Sequence, residues 1–384
     1  MYDLIVIGGG PAGTAAAIAA RSSGALTGIP PSVLLLERGS FPRQKVCGEF
    51  VSAEALGILR QLLSPECCLL DSAPRLSHAK LYAPGRITAS VAIAPAAASI
   101  ARWELDAALW QTAIAAGADC QQGAEVTRVR QGDGAFAVST TSAVFHGRSV
   151  IDASGRWSKL SARRVLGLTR GIGLTRRNGC GVGLKAHFEC SASTKTGRRA
   201  ATEAASPSTD LYFFPEGYCG VQPVAGGRLN VCALIWRGRA SHLGEVFWLH
   251  RALWERSRAW TQVTEQVTTA PLLFGRPRAE RDGVLCTGDA AGFIDPFAGD
   301  GISLALRSGR LAAHALAPFW RNEIPLSQAL AAYCRAYENT FATAFRTAAV
   351  MRLILRAAPG AVQSGLWRGL RIPWVAKFVV QKTR

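Results

Sequence analysis

Three glycines near the start of the chain have the spacing that binds a phosphate-bearing ligand. Gly8, Gly10 and Gly13 lie between residues 3–7, Asp-Leu-Ile-Val-Ile, a predicted strand, and an alanine-rich stretch that is a predicted helix. Gly8 permits a tight turn, Gly10 lets a pyrophosphate approach the backbone, and Gly13 allows close packing of helix on strand. The helix start offers free N–H groups to the phosphates. Since Glu37 ends the next predicted strand and can bind ribose hydroxyls, the pattern predicts a dinucleotide site.

A second group of residues with chemical potential lies near residue 289. The run 287–302 ends a predicted strand and opens a predicted helix. Asp289 is suited to accept hydrogen bonds from a ribityl chain, and a helix that begins near Gly301 directs its positive end toward a reduced flavin ring. The run Gly-Gly-Pro-Ala-Gly at 9–13 also resembles FAD-binding oxidoreductases, which favours FAD as the dinucleotide. The alternative interpretation of residues 287–302 is a plain strand–turn–helix with aspartate caps.

Four motifs resemble the geranylgeranyl reductase family, whose members are FAD enzymes of the larger para-hydroxybenzoate hydroxylase fold. Residues 288–302, Gly-Asp-Ala-Ala-Gly-Phe-x-Asp-Pro-Phe-x-Gly-x-Gly-Ile, resemble the family signature. Residues 45–49 are similar to its K-x-C-G segment beside the flavin, and Arg102 matches its flavin-contacting arginine. Residues 152–158 resemble the D-G/A-x-G-x-x-S segment of the wider fold. The motifs occur in family order and bracket residues 3 to about 317.

The resemblance and the motifs together imply a cofactor site and an activity. The expected cofactor-binding residues are Gly8, Gly10, Pro11, Ala12, Gly13, Glu37, Arg38, Cys47, Gly48, Arg102, Val126, Asp152, Asp289, Gly299, Gly301 and Ile302. The implied activity is that of an FAD-dependent oxidoreductase on a bulky hydrophobic substrate, isoprenoid-like or polyketide-like, favoured as a double-bond reductase. The sequence has no second G-x-G-x-x-G, so an NAD(P)H electron donor is expected to bind transiently without a Rossmann domain of its own.

The expected substrate region departs from the family pattern. Where prenyl reductases have aromatic-x-Trp-x-Phe-Pro, residues 210–215 are Asp-Leu-Tyr-Phe-Phe-Pro, which weakens the assignment of a prenyl substrate but not that of FAD. The Trp-x-Trp-x-Ile-Pro element of flavin halogenases is absent, which argues against halogenation. The alternative function is an FAD-dependent monooxygenase that hydroxylates an aromatic or polyketide substrate. A non-catalytic flavoprotein and a nucleic-acid-binding protein are more distant alternatives.

Cys47 and Tyr212 are the candidate catalytic residues. A thiol beside the flavin and near Lys45 can act as a thiolate or gate the position of the flavin. Its alternative role is that of a small residue that packs closely against the ring. Tyr212, like Tyr218, can donate a proton or orient a carbonyl, with pocket lining as the alternative role.

The elements that position these residues predict an α/β fold, in which a Rossmann-like FAD-binding domain is interrupted by a β-rich substrate domain and followed by a helical C-terminus. The predicted segments are 1–70, 100–165 and 270–325 for the FAD-binding domain, 71–99 and 166–269 for the substrate domain, and 326–384 for the basic C-terminal region. Residues 75–100 are expected to form short strands and loops, 191–209 a mobile loop or insertion, and 241–258 one helix.

Composition limits the class of protein. The chain has 384 residues, 49% hydrophobic and 18% charged, which supplies a sizeable core and excludes a disordered chain. Ten cysteines without a C-x-x-C pair and six histidines do not form the pattern of a structural zinc site, so reduced thiols and no metal are expected. An acidic N-terminus without a basic leader argues against a secretory signal. The sequence contains no run of about 18 apolar residues, so no membrane-spanning helix is expected. We therefore expect a cytoplasmic protein.

The charge distribution bears on partners. The formal net charge of +18 favours an anionic partner, but base-reading modules are absent, so nucleic acid is not expected. Residues 339–384 contain eight bases and no acid, together with many large apolar residues. This composition fits peripheral contact with an anionic membrane, here the inner membrane face, or a helical cap with a solvated basic face. The sequence leaves the oligomeric state open.

Overall fold

The structure, a computed structural model, describes ten stretches of the chain. They are residues 1–23, 30–83, 86–132, 134–156, 181–191, 207–236, 240–269, 272, 274–295 and 299–357.

Helices and strands alternate along the first third of the chain and again near its end. The strands are β1 (Tyr2–Ile7), β2 (Val33–Glu37), β3 (Phe50–Val51), β4 (Arg75–Ala83), β5 (Arg86–Ser99), β6 (Asp119–Gln122), β7 (Val126–Gln131), β8 (Phe136–Thr140), β9 (Val144–Asp152), β10 (Val182–Cys190), β11 (Ser208–Phe214), β12 (Gly217–Val224), β13 (Arg228–Ile235), β14 (Trp260–Gln262), β15 (Val267–Thr268), β16 (Glu280–Arg281) and β17 (Val284–Cys286). The α-helices are α1 (Pro11–Ser22), α2 (Ala53–Leu62), α3 (Arg102–Ala115), α4 (Leu243–Phe247), α5 (Arg251–Ser257), α6 (Gly301–Trp320) and α7 (Leu326–Ala357).

The first sheet has a parallel centre that ends at the glycine motif. Its order is β16-β17-β9-β1-β2-β6, and β8 joins it through β9 and pairs with β7. Strands β17, β9, β1, β2 and β6 pair in parallel. The short apolar runs of β1 and β2 are buried, as expected for strands covered on both faces. The carboxyl ends of the parallel strands therefore form one edge of the sheet, the edge at which α/β folds bind ligands.

Helices α1 and α6 cross at very short distance beside this sheet. A Cβ at Gly309 of α6 would overlap the backbone oxygen of Ala12 in α1, so only glycine permits the contact. Helix α7 packs on α6, and the buried Tyr333 of α7 donates a hydrogen bond of 2.7 Å to the backbone oxygen of Cys286 in β17. These contacts attach α1, α6 and α7 to the parallel strands, and with them the N-termini of α1 and α6.

The second sheet is mixed and carries helices on one face. Its order is β14-β10-β13-β12-β11-β4-β5-β3, with β15 paired to β10, and β11 pairs in parallel with β4. Apolar residues of α4 and α5 pack with one face of this sheet in a cluster that includes Leu243, Val246 and Leu253. Two sheets with helices confirm the predicted α/β class. Strand β3 lies in the segment expected to belong to the FAD-binding domain, yet it pairs with β5 of the segment expected to belong to the substrate domain. The domain boundaries stay a prediction.

Two local expectations were wrong. Residues 75–100 form the long antiparallel pair β4–β5. The sequence signal for these strands is weak, because buried Val91 and Ile93 alternate with exposed alanines, which have a low strand propensity. The single helix expected over 241–258 is two short helices, since the chain turns at His250, whose Nε2 donates to the backbone oxygen of Ala83 at 2.9 Å.

Part of the chain lies outside these statements. Residues 192–206, within the expected loop, and 358–384, within the C-terminal region, are outside the described residues. None of the helices within the described ranges combines the length and apolar character that crossing a bilayer requires.

Candidate cofactor and substrate site

A cavity of about 700 Å³ lies where the carboxyl ends of the parallel strands face the second sheet. The first sheet and its helices contribute Gly10, Glu37 and Gly301 to its wall, and the second sheet contributes Leu211 and Gln222. One continuous space therefore joins the glycine motif to the face of the second sheet opposite α4 and α5.

Each glycine of the first motif is present for a different structural reason. Gly8 has a φ of +106°, and a Cβ there would overlap the backbone of Ala153. A Cβ at Gly13 would overlap the backbone oxygen of Gly8, so this glycine allows α1 to pack on the strand end. Gly10 precedes α1, has no side-chain cap, and its Cβ would meet no atom within 4 Å. Gly10 therefore faces open space at a helix N-terminus, where phosphates bind.

Two more glycines on the cavity wall face open space. A Cβ at Gly48 or at Gly301 would also meet no protein atom within 4 Å. Gly301 is the first residue of α6, so two helix N-termini, those of α1 and α6, adjoin the cavity. A cradle that side chains at these positions would fill, and that has a positive helix end at each of two places, fits an elongated anionic dinucleotide such as FAD.

Glu37 is held as a carboxylate at the edge of this cradle. It accepts hydrogen bonds from the backbone N–H groups of Gly9 and Gly39, both at 2.9 Å, and from Nη1 of Arg43 at 2.7 Å. Burial opposes its charge, but the Arg43 guanidinium and the two N–H groups lower the pKa of Glu37 to about 2. The charged acid therefore lies beside the glycine turn, as the sequence predicted for a ribose-binding group.

Basic side chains make the cofactor end of the cavity positive. The guanidinium of Arg102 donates two hydrogen bonds of 2.7 Å to Asp106. Burial, together with the charges of Arg102 and Arg43, lowers the pKa of Lys45 to about 8. Nε of Arg156 lies 3.8 Å from Asp289, and burial nevertheless raises the pKa of that acid. An anionic ligand at this end would reduce the mutual repulsion of the cations.

A buried charge cluster behind this wall was missed by the sequence analysis. Oε1 of Glu49 accepts from Nζ of Lys185 at 2.6 Å, and Oε2 of Glu49 pairs with Nε2 of His187 at 2.8 Å. The side chains of all three are fully buried. Lys185 also donates to Gln44 at 2.7 Å, and Glu49 accepts from the backbone N–H of Arg102 at 2.8 Å. The cluster therefore fastens the cavity-lining segment 44–49 to strand β10.

Most of the expected cofactor-binding residues line the cavity. These are Gly8, Gly10, Pro11, Ala12, Glu37, Arg38, Cys47, Gly48, Arg102, Val126, Asp289, Gly299, Gly301 and Ile302. Gly13 is not among the lining residues and acts in packing. Asp152 is buried at the end of β9, where it accepts hydrogen bonds from the N–H and hydroxyl of Ser154 at 3.0 and 2.6 Å, so it supports the wall from behind. Residues 296–298 of the second motif lie outside the described residues.

Tyr212 does not line the cavity, which corrects its assignment as a candidate catalytic residue. It is 2% exposed, stacks on Tyr82 at 4.4 Å and accepts a hydrogen bond of 2.9 Å from Arg256. The cause is the register of β11 and β12, in which Phe213 is opposite Tyr218 and these two residues share a face. Tyr212 is on the other face, toward α4 and α5, and Tyr218 lines the cavity.

Cys47 lies on the cavity wall beside the open space at Gly48. Its Sγ accepts a hydrogen bond of 3.3 Å from the N–H of Glu49. The side chain of Asn230 donates to the backbone oxygens of Cys47 and Gly48 at 3.2 and 2.8 Å. Cys232 also lines the cavity, where burial raises its pKa to about 12. Both the chemical and the positioning role of Cys47 are compatible with this placement.

Curated proteins that are similar to most of the chain include two reductases, whereas no model of a known protein family matches it. Digeranylgeranylglycerophospholipid reductase 2 of Methanopyrus kandleri is 28% identical over 367 residues, which cover 90% of this chain and 85% of that protein. Menaquinone reductase of Mycobacterium tuberculosis is 29% identical over 330 residues, which cover 82% of this chain and 76% of that protein.

Solved structures share the fold. A geranylgeranyl bacteriochlorophyll reductase-like protein from Thermoplasma acidophilum has a TM-score of 0.69 and 21% identity, covering 100% of this chain and 95% of that chain. Halogenase PltM in complex with phloroglucinol and FAD has a TM-score of 0.71 and 17% identity, covering 99% and 83%. The similarities confirm the family resemblance and the FAD-binding fold that the sequence predicts. The chain is an FAD-dependent oxidoreductase that is similar in sequence to digeranylgeranylglycerophospholipid and menaquinone reductases.

Proposed function

We propose that the chain reduces a double bond of an isoprenoid substrate, with FAD as its cofactor. The observation that carries this proposal is the continuity of the cavity from the glycine cradle to the second sheet. One substrate molecule can place its reacting carbons at the cofactor and the rest of its length along the sheet. The reductase names of both curated relatives support this class of reaction.

The polarity of the cavity supports a long apolar substrate. The end near Lys45 and Arg102 is charged, whereas the side toward the second sheet carries a group of large apolar side chains. This group includes Leu81, Leu211, Leu234, Leu272 and Phe293. Burial of a hydrocarbon chain gains about 0.8 kcal/mol for each CH₂ group, so each five-carbon unit adds several kcal/mol of binding. The charged end of the cavity favours a polar or anionic group over hydrocarbon. The two ends therefore orient such a substrate, with its hydrocarbon chain along the second sheet.

The chain's own groups hold charge and protons around the reacting bond. Bound FAD supplies the hydride, and the double bond also needs one proton. The N-terminus of α6 at Gly301 stabilises negative charge at the cavity wall. Burial, followed by the charge of Asp295, raises the pKa of Tyr218 well above its usual value. The phenol therefore keeps its proton at neutral pH. Tyr218 lines the cavity, and its buried Oη, which interacts with Asp295, is the proton source that we assign to the reaction.

The electron source belongs to the same proposal. We assign it to NAD(P)H, which would bind only long enough to deliver its hydride. The presence of one G-x-G-x-x-G motif in the sequence supports transient binding, because that motif already serves the FAD cradle.

The test is an anaerobic single-turnover reaction. The FAD-loaded protein is reduced with NADPH or dithionite and mixed with a geranylgeranyl lipid dispersed in detergent, while flavin absorbance and product mass are followed. We expect the flavin to reoxidise and the lipid to gain two hydrogens. A saturated lipid of equal length is the matched control and should leave the flavin reduced. Absence of reoxidation with every isoprenoid tested, or gain of one oxygen in air, would contradict the proposal.

A further inference from the structure

The last described turns of α7 have an exposed apolar stripe. Val350 is 56% exposed and Leu353 is 66% exposed, which is unusual for large apolar side chains. Arg346 is also exposed and precedes Val350 by four residues. Residues spaced by three or four positions share a helix face, so these three side chains form one stripe on α7. We refer to Arg346, Val350 and Leu353 as the α7 stripe.

The sequence that follows Glu338 carries charge of one sign. Glu338 is the last acid in the sequence, and the 46 residues that follow it contain eight bases. Arg352 of α7 lies next to Leu353 in the chain. Bases interleaved with exposed apolar side chains are complementary to an anionic bilayer, which binds the bases at its phosphates and the apolar groups below them. This complementarity selects an anionic lipid surface as the occupant.

The turns of α7 that carry the stripe are linked to the cavity wall through Arg352, which lies on a different face of the helix from the stripe. The guanidinium of Arg352 lies 4.1 Å from the ring centre of Phe274. The ring of Phe274 packs on that of Phe293 at 5.2 Å, and Phe293 lines the cavity. Leu272, which is adjacent in the same apolar cluster, lines it as well. The turns of α7 that carry the stripe therefore lie close to the apolar residues Leu272 and Phe293 of the cavity wall.

We propose that the α7 stripe docks on an anionic lipid bilayer and places the apolar end of the cavity at the membrane surface. A lipid substrate then passes from the bilayer to the cavity without crossing water. The docking follows from the stripe and its charge alone, whereas the transfer of an isoprenoid rests on the proposed function.

The docking is tested by sedimentation of the full FAD-loaded chain with vesicles. The vesicles are phosphatidylcholine alone or phosphatidylcholine with phosphatidylglycerol, each at low and high salt. The double variant Val350→Asp/Leu353→Asp replaces both apolar groups of the stripe. Val144→Asp is the matched control, because Val144 is the same residue type as Val350, with the same 56% exposure, on β9.

We expect wild type and Val144→Asp to sediment with anionic vesicles at low salt and much less with neutral ones. The double variant should bind at least about tenfold more weakly. Equal binding by the double variant and wild type would overturn the proposal, and so would the absence of wild-type binding. If the wild type is instead a dimer that the double variant converts to a monomer, the occupant of the stripe is a second copy and the proposal is wrong.

A second readout separates the docking from the proposed function. The reduction of a geranylgeranyl lipid is compared between detergent dispersion and anionic vesicles. We expect the double variant to keep its rate in detergent and to lose most of it on vesicles. If no isoprenoid is reduced in either form while the double variant has lost vesicle binding, the docking stands and the proposed function fails. Equal rates of wild type and double variant on vesicles would refute the role of docking in substrate transfer.

Discussion

Replacement of Lys185 by methionine should destabilise the protein strongly, because it removes one partner from a buried ion pair. Glu49 would keep its carboxylate in a fully buried position with the Lys185 bond of 2.6 Å lost. The loss of a partner in such a pair costs about 3–5 kcal/mol, since the remaining buried charge loses a compensating partner. The Lys185→Met variant is therefore expected to lose that much of its free energy of unfolding, which is a large part of the usual total of about 5–15 kcal/mol.

The assay is urea unfolding followed by circular dichroism, with two matched variants. Lys185→Met/Glu49→Gln removes both charges and should be more stable than Lys185→Met, because the neutral amide that replaces the carboxylate can still accept the Arg102 N–H bond. Arg251→Met breaks the exposed ion pair of Arg251 with Glu255 and should leave stability unchanged. These variants separate the loss of a buried charge partner from the loss of any lysine or arginine.

The pH dependence adds a second check on the same cluster. Burial opposes the charge of Glu49, yet His187 and Lys185 lower its pKa. A carboxyl with a lowered pKa stabilises the fold above its unfolded pKa, and this stabilisation is lost as the pH falls toward its folded pKa. Acidification should thus cost wild type more stability than Lys185→Met. A cost of the single substitution below about 1 kcal/mol, or a double variant no more stable than the single one, would refute this reasoning.

Three further comparisons test the site. Gly10→Leu fills open space at the start of α1 and should weaken FAD retention at least about tenfold, which ultrafiltration measures. Gly309→Leu forces α6 away from α1 and should instead lower the free energy of unfolding, which urea unfolding measures. Because the pKa of Lys45 is about 8, FAD affinity should decrease between about pH 7 and 9, and Lys45→Arg should remove this dependence in a fluorescence titration. Tyr218→Phe should slow lipid reduction by about a hundredfold in single-turnover kinetics, while Tyr212→Phe, which loses only the Arg256 bond, should affect stability more than rate. An unchanged rate in Tyr218→Phe, or a flat pH profile in wild type, would contradict the respective assignment.

The cofactor cradle was largely predictable because its signals are local in the sequence. The turn 8–13 combines a tight bend, a helix start and short packing distances, each of which requires glycine within six positions. The run 288–302 likewise follows shortly after the end of β17 and contains the start of α6. Glu37 was identifiable because the end of β2 must adjoin the end of β1 in a parallel pair. In each case a few consecutive residues determine the geometry.

The substrate side was less predictable because its geometry depends on pairing across the chain. Glu49 and Lys185 are 136 positions apart, and Lys185 alternates with apolar residues in β10 as a solvent-facing side chain would. Tyr212 and Tyr218 differ only in which face of the sheet they occupy. That difference depends on the register across the turn between β11 and β12, and a shift by one residue would exchange the faces.

The crossing of α1 and α6 also determines when the protein can first bind its cofactor during synthesis. The wall of the cradle combines Gly8 and Gly10 with Asp289 and Gly301, so the nascent chain exposes the glycine turn long before its counterpart exists. The close contact of α1 with α6 at Gly309 cannot form until α6 has left the ribosome. Because a ligand stabilises only the state that binds it, FAD can favour the native chain only at this late stage. Added FAD should therefore raise the yield of the folded full-length chain. Fragments that end before α6 should gain no stability from added FAD.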